Sequence, residues 1–184
     1  MNQKISTKRI AMAGLLAALT AVGSGLRITI PVSIGGNTAF HLGNIFCALS
    51  GILLGPGLGG AAAGLGSAIF DMTSPIYISE AWLTFLMKGA YGVAAGLGAQ
   101  RMPLGYMRDL MATTAGAVTY AVLYLCKSFL NTMIVSGTTA SAALVAVGLK
   151  LPATTFNMAV AIVIAPVLAS AIRKSLAMNH ISLN

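Results

Sequence analysis

Apolar stretches of helical length alternate with short polar breaks along almost the whole chain. Helices are expected over about Ile10 to Leu26, Leu42 to Leu54, Leu58 to Met72, Ala81 to Gln100, Leu110 to Leu130 and Ala153 to Ile172. The run from His41 to Asp71, HLGNIFCALSGILLGPGLGGAAAGLGSAIFD, is the most informative of these patterns, because it carries no charge between Leu42 and Phe70 and folds two segments around one Gly-Pro-Gly turn at Pro56. Small residues recur in it at helical spacing, Gly51 with Gly55 and Gly60 with Gly64. Such spacing lets helix backbones approach closely in lipid, where packing drives association. A full crossing takes about 20 apolar residues, so the second and third segments are short and call for tilt, extension into the loops or shielding by neighbours.

Composition turns this pattern into a class. Of 184 residues, 57% are hydrophobic and only 8% charged, with a mean hydropathy of +0.88. The expectation is an all-α membrane protein, a compact bundle of six transmembrane helices in which residues 1–184 form a single integral membrane domain. A formal charge of +8 would suggest nucleic acid in a soluble protein, but here the 11 basic residues stand mostly beside the ends of apolar segments. They read as topology signals, with no nucleic-acid partner. An even number of spans puts Lys4, Lys8, Arg9, Arg101, Arg108, Arg173 and Lys174 on one side and leaves Arg27 and Lys150 on the other. Both termini are therefore expected in the cytoplasm, and the N-terminal apolar segment is read as a retained first helix and not as a cleaved signal. Cys47 and Cys126 have no CxxC or His-rich companion and read as packing residues.

The outer connections are the irregular ones. Arg27 to Phe40, RITIPVSIGGNTAF, alternates around Pro31 and breaks at Gly35, Gly36 and Asn37, as an extended lid or small hairpin would, the alternative being an unstructured loop. Asn131 to Lys150 is either a flexible loop or a second cap, and its Ala143 to Val147 stretch would equally extend a helix. The inside turns around Pro56 and Pro103 are tight by comparison. A ligand site is expected on the outer face.

Ionisable groups in a bilayer cost about 2.5–3.5 kcal/mol at a helix centre, so each needs a partner or a task. Lys88 lies roughly 10 Å into the fourth helix, and Tyr120, Tyr124, Lys127 and Asn131 share one face of the fifth. Two rings, an ammonium and an amide suit a small polar metabolite. Lys88, Tyr120, Tyr124, Lys127, Asn131 and Asn157 are the ligand candidates, with Thr154 and Thr155 beside the last. Competing readings pair Lys88 with Asp71, let Lys127 snorkel beside Tyr124, and use Glu80 and Trp82 as markers of the outer interface, with a lid contact to the ligand as the alternative for these two. Asn157 and its threonines would also serve simply to join helices. His41 has no second ligand at metal spacing, Ser67 in GLGSA has no base at its depth, and Asp71, Glu80 and Asp109 are the only carboxylates. No catalytic residue, metal or cofactor is expected. No GxxxxGK[ST] loop is present either, so any energy for transport comes from an ion gradient or from another subunit.

His41-Leu42-Gly43-Asn44, the LLGP turn of Leu53 to Pro56, AAGLGSAIFD from Ala62 to Asp71 and the Lys88-Gly89 step together resemble the substrate-binding S components of energy-coupling factor (ECF) transporters. The branch resembled is that of the riboflavin, hydroxymethylpyrimidine and pyridoxine types, and the likeness covers about the first hundred residues. It implies capture of a small water-soluble vitamin or vitamin precursor at a prokaryotic cell membrane. It also implies partnership with a transmembrane coupling subunit and two cytoplasmic ATPases. Small residues on the first helix contact the coupling subunit in that family, which implies Ala13, Ala17 and Ala21 here, with Gly14 and Ala18 as a parallel stripe; the alternative for this face is ordinary packing within the bundle. The alternative is a self-sufficient small carrier or channel with Lys88 and Asp71 in a polar pathway. Two lysines suit an anionic or acceptor-rich ligand such as pantothenate, and the tyrosines suit a flat ring such as pyridoxine or a pyrimidine; neither excludes riboflavin.

Overall fold

The computed structural model describes residues 6–34 and 36–181. Among these, the chain forms α1 (Thr7–Gly25), a hairpin of β1 (Arg27–Pro31) and β2 (Asn37–His41), α2 (Gly43–Leu54), α3 (Pro56–Met72), α4 (Ala81–Gln100), α5 (Tyr106–Leu130) and α6 (Ala140–Met178). The all-α expectation holds, with the hairpin as its one extended piece. Two stretches, Tyr106–Val135 and Ala140–Met178, are each long and apolar enough to cross a membrane. Leu15, Leu65, Leu86, Val122 and Val163 point outward while the interior is built from alanines such as Ala48, Ala63, Ala95, Ala161 and Ala165. Large apolar side chains outside and small ones inside suit a bundle solvated by lipid.

Helix ends follow local chemistry. Ser6 Oγ accepts the Arg9 backbone N–H at 3.4 Å and starts α1 three residues before the expected Ile10. Gly55, with φ of +82°, makes the turn that a side chain would strain, and Pro56 then opens α3 at a position where no N–H is needed.

Glycines of α2, α3 and α4 set how tightly the centre packs. A Cβ on Gly51 would run into the Gly92 carbonyl, one on Gly59 into the Ser50 carbonyl, and one on Gly96 into the backbone of Pro56. Across the next interface, a Cβ on Gly66 would collide with the Ala17 carbonyl of α1. These helices touch backbone to backbone, as the small-residue spacing predicts.

Two expectations need correction. No long loop separates α5 from α6: α5 continues into a π-helical turn over Asn131–Val135, and α6 begins at Ala140 instead of Ala153. Gly137, at φ +62°, reverses the chain, and Thr139 Oγ1 accepts the Ala142 N–H at 3.3 Å to cap the new helix. The helix then runs through Pro152, so the reading of Ala143 to Val147 as helix is the one that stands. A proline inside a helix costs about 3 kcal/mol, which makes a break there look natural in the sequence. In lipid, a break exposes unsatisfied backbone groups at several kcal/mol each, and continuing the helix costs less. Secondly, Cys47 is buried but Cys126 is exposed, so only the first is a packing residue of the interior.

At one end of the bundle stand the hairpin, the C-terminal ends of α1, α3 and α5 and the beginnings of α2 and α4. The opposite end gathers Arg9, whose guanidinium donates to the Leu54 carbonyl at 2.6 Å, and Asp109, held by Arg108 and Arg173. Lys4 of the expected basic set lies outside the described residues, as does Gly35 of the hairpin loop.

Candidate functional site

A polar cavity of about 340 Å³ opens at the hairpin end and reaches down between α2, α4 and α5. β1 and β2 pair antiparallel with Arg27 opposite His41 and Pro31 opposite Asn37, and β2 supplies Asn37, Thr38, Ala39 and His41 to the wall. Asn157, from the middle of α6, fixes that strand: its Oδ1 accepts the His41 N–H at 2.9 Å and its Nδ2 donates to the Ala39 carbonyl at 2.8 Å. Phe40 packs edge-on against Phe156 one residue away, with ring centroids 5.1 Å apart. A single amide thus satisfies two backbone groups of a strand that has only one partner strand.

All six residues singled out as ligand candidates line this cavity. Tyr120 and Tyr124, one turn apart on α5, stack at 5.8 Å with an interplanar angle of 19°, and Tyr91 of α4 continues the ladder below Tyr120 at 6.2 Å. Lys88 lies under them, 3% exposed, with Nζ donating to Asn44 Oδ1 and sitting 3.8 Å from the Tyr120 ring centroid. Lys127 pairs with Glu80 at 2.5 Å, and Lys150 Nζ stands 5.8 Å from the Tyr124 centroid. Asn131 begins the π-helical turn at the rim. Of the residues implied for partner contact, Ala13 is buried and Ala17 and Ala21 are half-buried in the face of α1 toward α3, whereas Gly14 and Ala18 are exposed.

The pairing of Lys88 with Asp71 does not form. Asp71 instead faces Arg27 Nη2 at 3.8 Å, and Lys88 has an uncharged partner. Arg27, which the sequence marks as an outside charge at the start of the lid, and Asn44, part of a motif, are both wall residues. An amide in the first turn of an apolar helix was the available signal for Asn44, while the role of Arg27 depends on where the hairpin folds back. Glu80 is likewise a cavity residue, and Trp82, its neighbour in the interface reading, is 65% exposed.

His41 closes the hairpin onto α2. Its Nδ1 accepts the Gly43 N–H at 3.2 Å, which requires an unprotonated nitrogen. Burial first, then the positive charges of Lys88 and Arg27, lower its pKa well below the usual 6.5. The folded protein keeps this ring neutral while the unfolded chain takes up a proton, so stability present above about pH 6.5 is lost as pH falls from there. Thermal unfolding between pH 7.5 and pH 5 is expected to show a falling Tm that His41→Gln flattens; an unchanged slope in that variant assigns the acid sensitivity elsewhere.

The model of the family described as ECF-type riboflavin transporter, S component, matches residues 4–174. The chain is 33% identical over 112 residues to an uncharacterized protein in the gap 3′ region of Pyrococcus woesei, covering 61% of this chain and 72% of that one. It is also 28% identical over 109 residues to a probable biotin transporter BioY of Lysinibacillus sphaericus, covering 59% of this chain and 53% of the relative. The match thus spans about half the length of the BioY relative.

Proposed function

The chain belongs to the family of ECF-type riboflavin transporter S components, and on that premise we propose that it captures one small water-soluble vitamin or vitamin precursor from outside the cell for uptake powered by partner subunits. It is a transporter component and not an enzyme. In this reading residues 1–184 act as one membrane-embedded binding domain, all six helices cross or enter the membrane of a prokaryotic cell, and both termini are cytoplasmic. The basic residues gathered at the end opposite the hairpin support that orientation.

The observation that carries the proposal is the polar cavity set in one end of an apolar bundle and roofed by the β1–β2 hairpin. Charged and aromatic side chains converge there from α3, α4, α5 and α6, and binding needs no covalent step. Docking to a transmembrane coupling subunit, which carries two ATPases on its cytoplasmic side, is assigned to α1. Gly14 and Ala18 form an exposed stripe on this helix, and among the described residues a Cβ on Gly14 would meet nothing within 4 Å. Small residues on such a face admit a partner helix at short range.

Native mass spectrometry of the purified protein is expected to find one small molecule bound per chain without ATP. Gly14→Leu is expected to keep that molecule while abolishing co-purification of the coupling subunit. Uptake into liposomes by this chain alone, driven by an imposed ion gradient, would overturn the proposal in favour of a self-sufficient carrier.

A further inference from the structure

Resting on the binding-subunit reading, we infer that the ligand is a small carboxylate, its anionic group seated against Lys88 and its flat body stacked on Tyr120 and Tyr124. The charge distribution of the cavity carries this. Four cations line it, Arg27, Lys88, Lys127 and Lys150, against two carboxylates, Asp71 and Glu80. Both carboxylates are committed, Asp71 to Arg27 and Glu80 to Lys127. Lys88 is the deepest of the cations, and among the described residues no carboxylate lies within 4.0 Å of it.

Its contacts are an amide oxygen and a ring face. Both orient toward a cation, yet neither cancels its charge. An ammonium has three donors, and Asn44 takes one of them. A carboxylate can accept the other two and neutralise the buried charge at once, which a neutral ligand cannot do. Two further donors in the wall, the Ser24 and Ser128 hydroxyls, are buried with no hydrogen-bond partner among the described residues. The Tyr120–Tyr124 pair presents an aromatic surface beside the ammonium, which favours a ring or ring-like body attached to the acid.

This separates the chain's substrate from riboflavin, which carries no ionised group at neutral pH and would leave Lys88 unbalanced. The test is isothermal titration of the purified protein with acid and amide or alcohol pairs of matched shape: biotin and biotinamide, nicotinate and nicotinamide, pantothenate and panthenol, with riboflavin as the neutral tricycle. One acid is expected to bind about 100-fold or more tightly than its neutral counterpart and than riboflavin. Lys88→Met is expected to erase that discrimination. The wild-type comparison stands by itself should the variant fail to fold.

Binding of riboflavin or of any neutral member as tightly as the acids overturns the inference, and so does discrimination that survives in a folded Lys88→Met protein. If nothing in the panel binds, the molecule that co-purifies decides: an ionised carboxylate supports the inference, and a neutral, cationic or phosphorylated compound overturns it. A protein that retains no small molecule and binds none of the panel refutes the binding-subunit reading itself, and the inference with it.

Discussion

Gly92→Leu is expected to prevent accumulation of folded protein. A Cβ at this position would lie 2.8 Å from the Gly60 Cα, 2.9 Å from the Gly59 carbonyl oxygen and 3.1 Å from the Ala63 Cβ. Two of those three atoms are backbone, so no rotamer change can make room. Relief would require α4 to move off α3, and the Gly51 contact with the Gly92 carbonyl would then separate α2 from α4 as well. Overpacking against side chains that can shift typically costs about 1–3 kcal/mol, and against fixed backbone the cost lies at or above the top of that range. Marginal stability does not absorb this easily. Size-exclusion chromatography and a thermal melt of Gly92→Leu beside Gly57→Leu make the comparison, because a Cβ on Gly57 meets nothing within 4 Å. Equal yields and equal melting temperatures for the two variants would mean that close approach at Gly92 is not what holds α2, α3 and α4 together.

The same glycines explain why the centre of the bundle was legible. Gly60 and Gly64 recur at a helical interval, and in the fold they approach the Gly89 carbonyl and the Phe85 carbonyl of α4. A periodic signal within one segment survives as a periodic interface. The hairpin could be read for a similar reason, since alternation around Pro31 followed by Gly36 is local information. The start of α6 could not be read in the same way. Thr139 is a good capping residue, but it competes with Pro152 as a helix start, and only the lipid cost of breaking the helix decides between them.

The cavity divides along the same line. Tyr120, Tyr124, Lys127 and Asn131 share a helix face, so helical spacing alone brings them to one wall. Partner choice is different, because it depends on distances between elements. Asp71 and Lys88 lie on neighbouring helices, and opposite charge makes them a natural pair on paper, but Asp71 ends α3 while Lys88 sits two turns into α4, level with Gly60. The hairpin brings Arg27 to Asp71 first, and Asn44 on α2 meets Lys88 from the other side. Neither event leaves a trace in the spacing of residues along the chain. The consequence for function is large, since the exchange of partners leaves the positive charge at the cavity floor with no carboxylate within 4.0 Å among the described residues.

Arg27→Met tests that exchange directly and is expected to destabilise the protein by about 3 kcal/mol, the lower end of what breaking a buried pair costs. The guanidinium ties four places together. Its Nε donates to the Ser24 carbonyl at 2.9 Å, Nη2 stands 3.8 Å from Asp71 Oδ1, and Cζ lies 4.2 Å and 4.6 Å from the ring centroids of Phe70 and Tyr77. Methionine retains part of the apolar contact with the rings but leaves the Asp71 carboxylate, only 9% exposed, without its cation. That uncompensated negative charge then faces the same cavity as Lys88, so affinity for an anionic ligand is expected to fall along with the melting temperature. Adding Asp71→Asn removes the orphaned charge, and the double variant is expected to recover much of both losses. A thermal melt and a binding titration of the two single variants and the double variant form a closed cycle, whose coupling reports the pair apart from the ring contacts. Strictly additive losses would mean that Arg27 acts through Ser24, Phe70 and Tyr77 and not through Asp71.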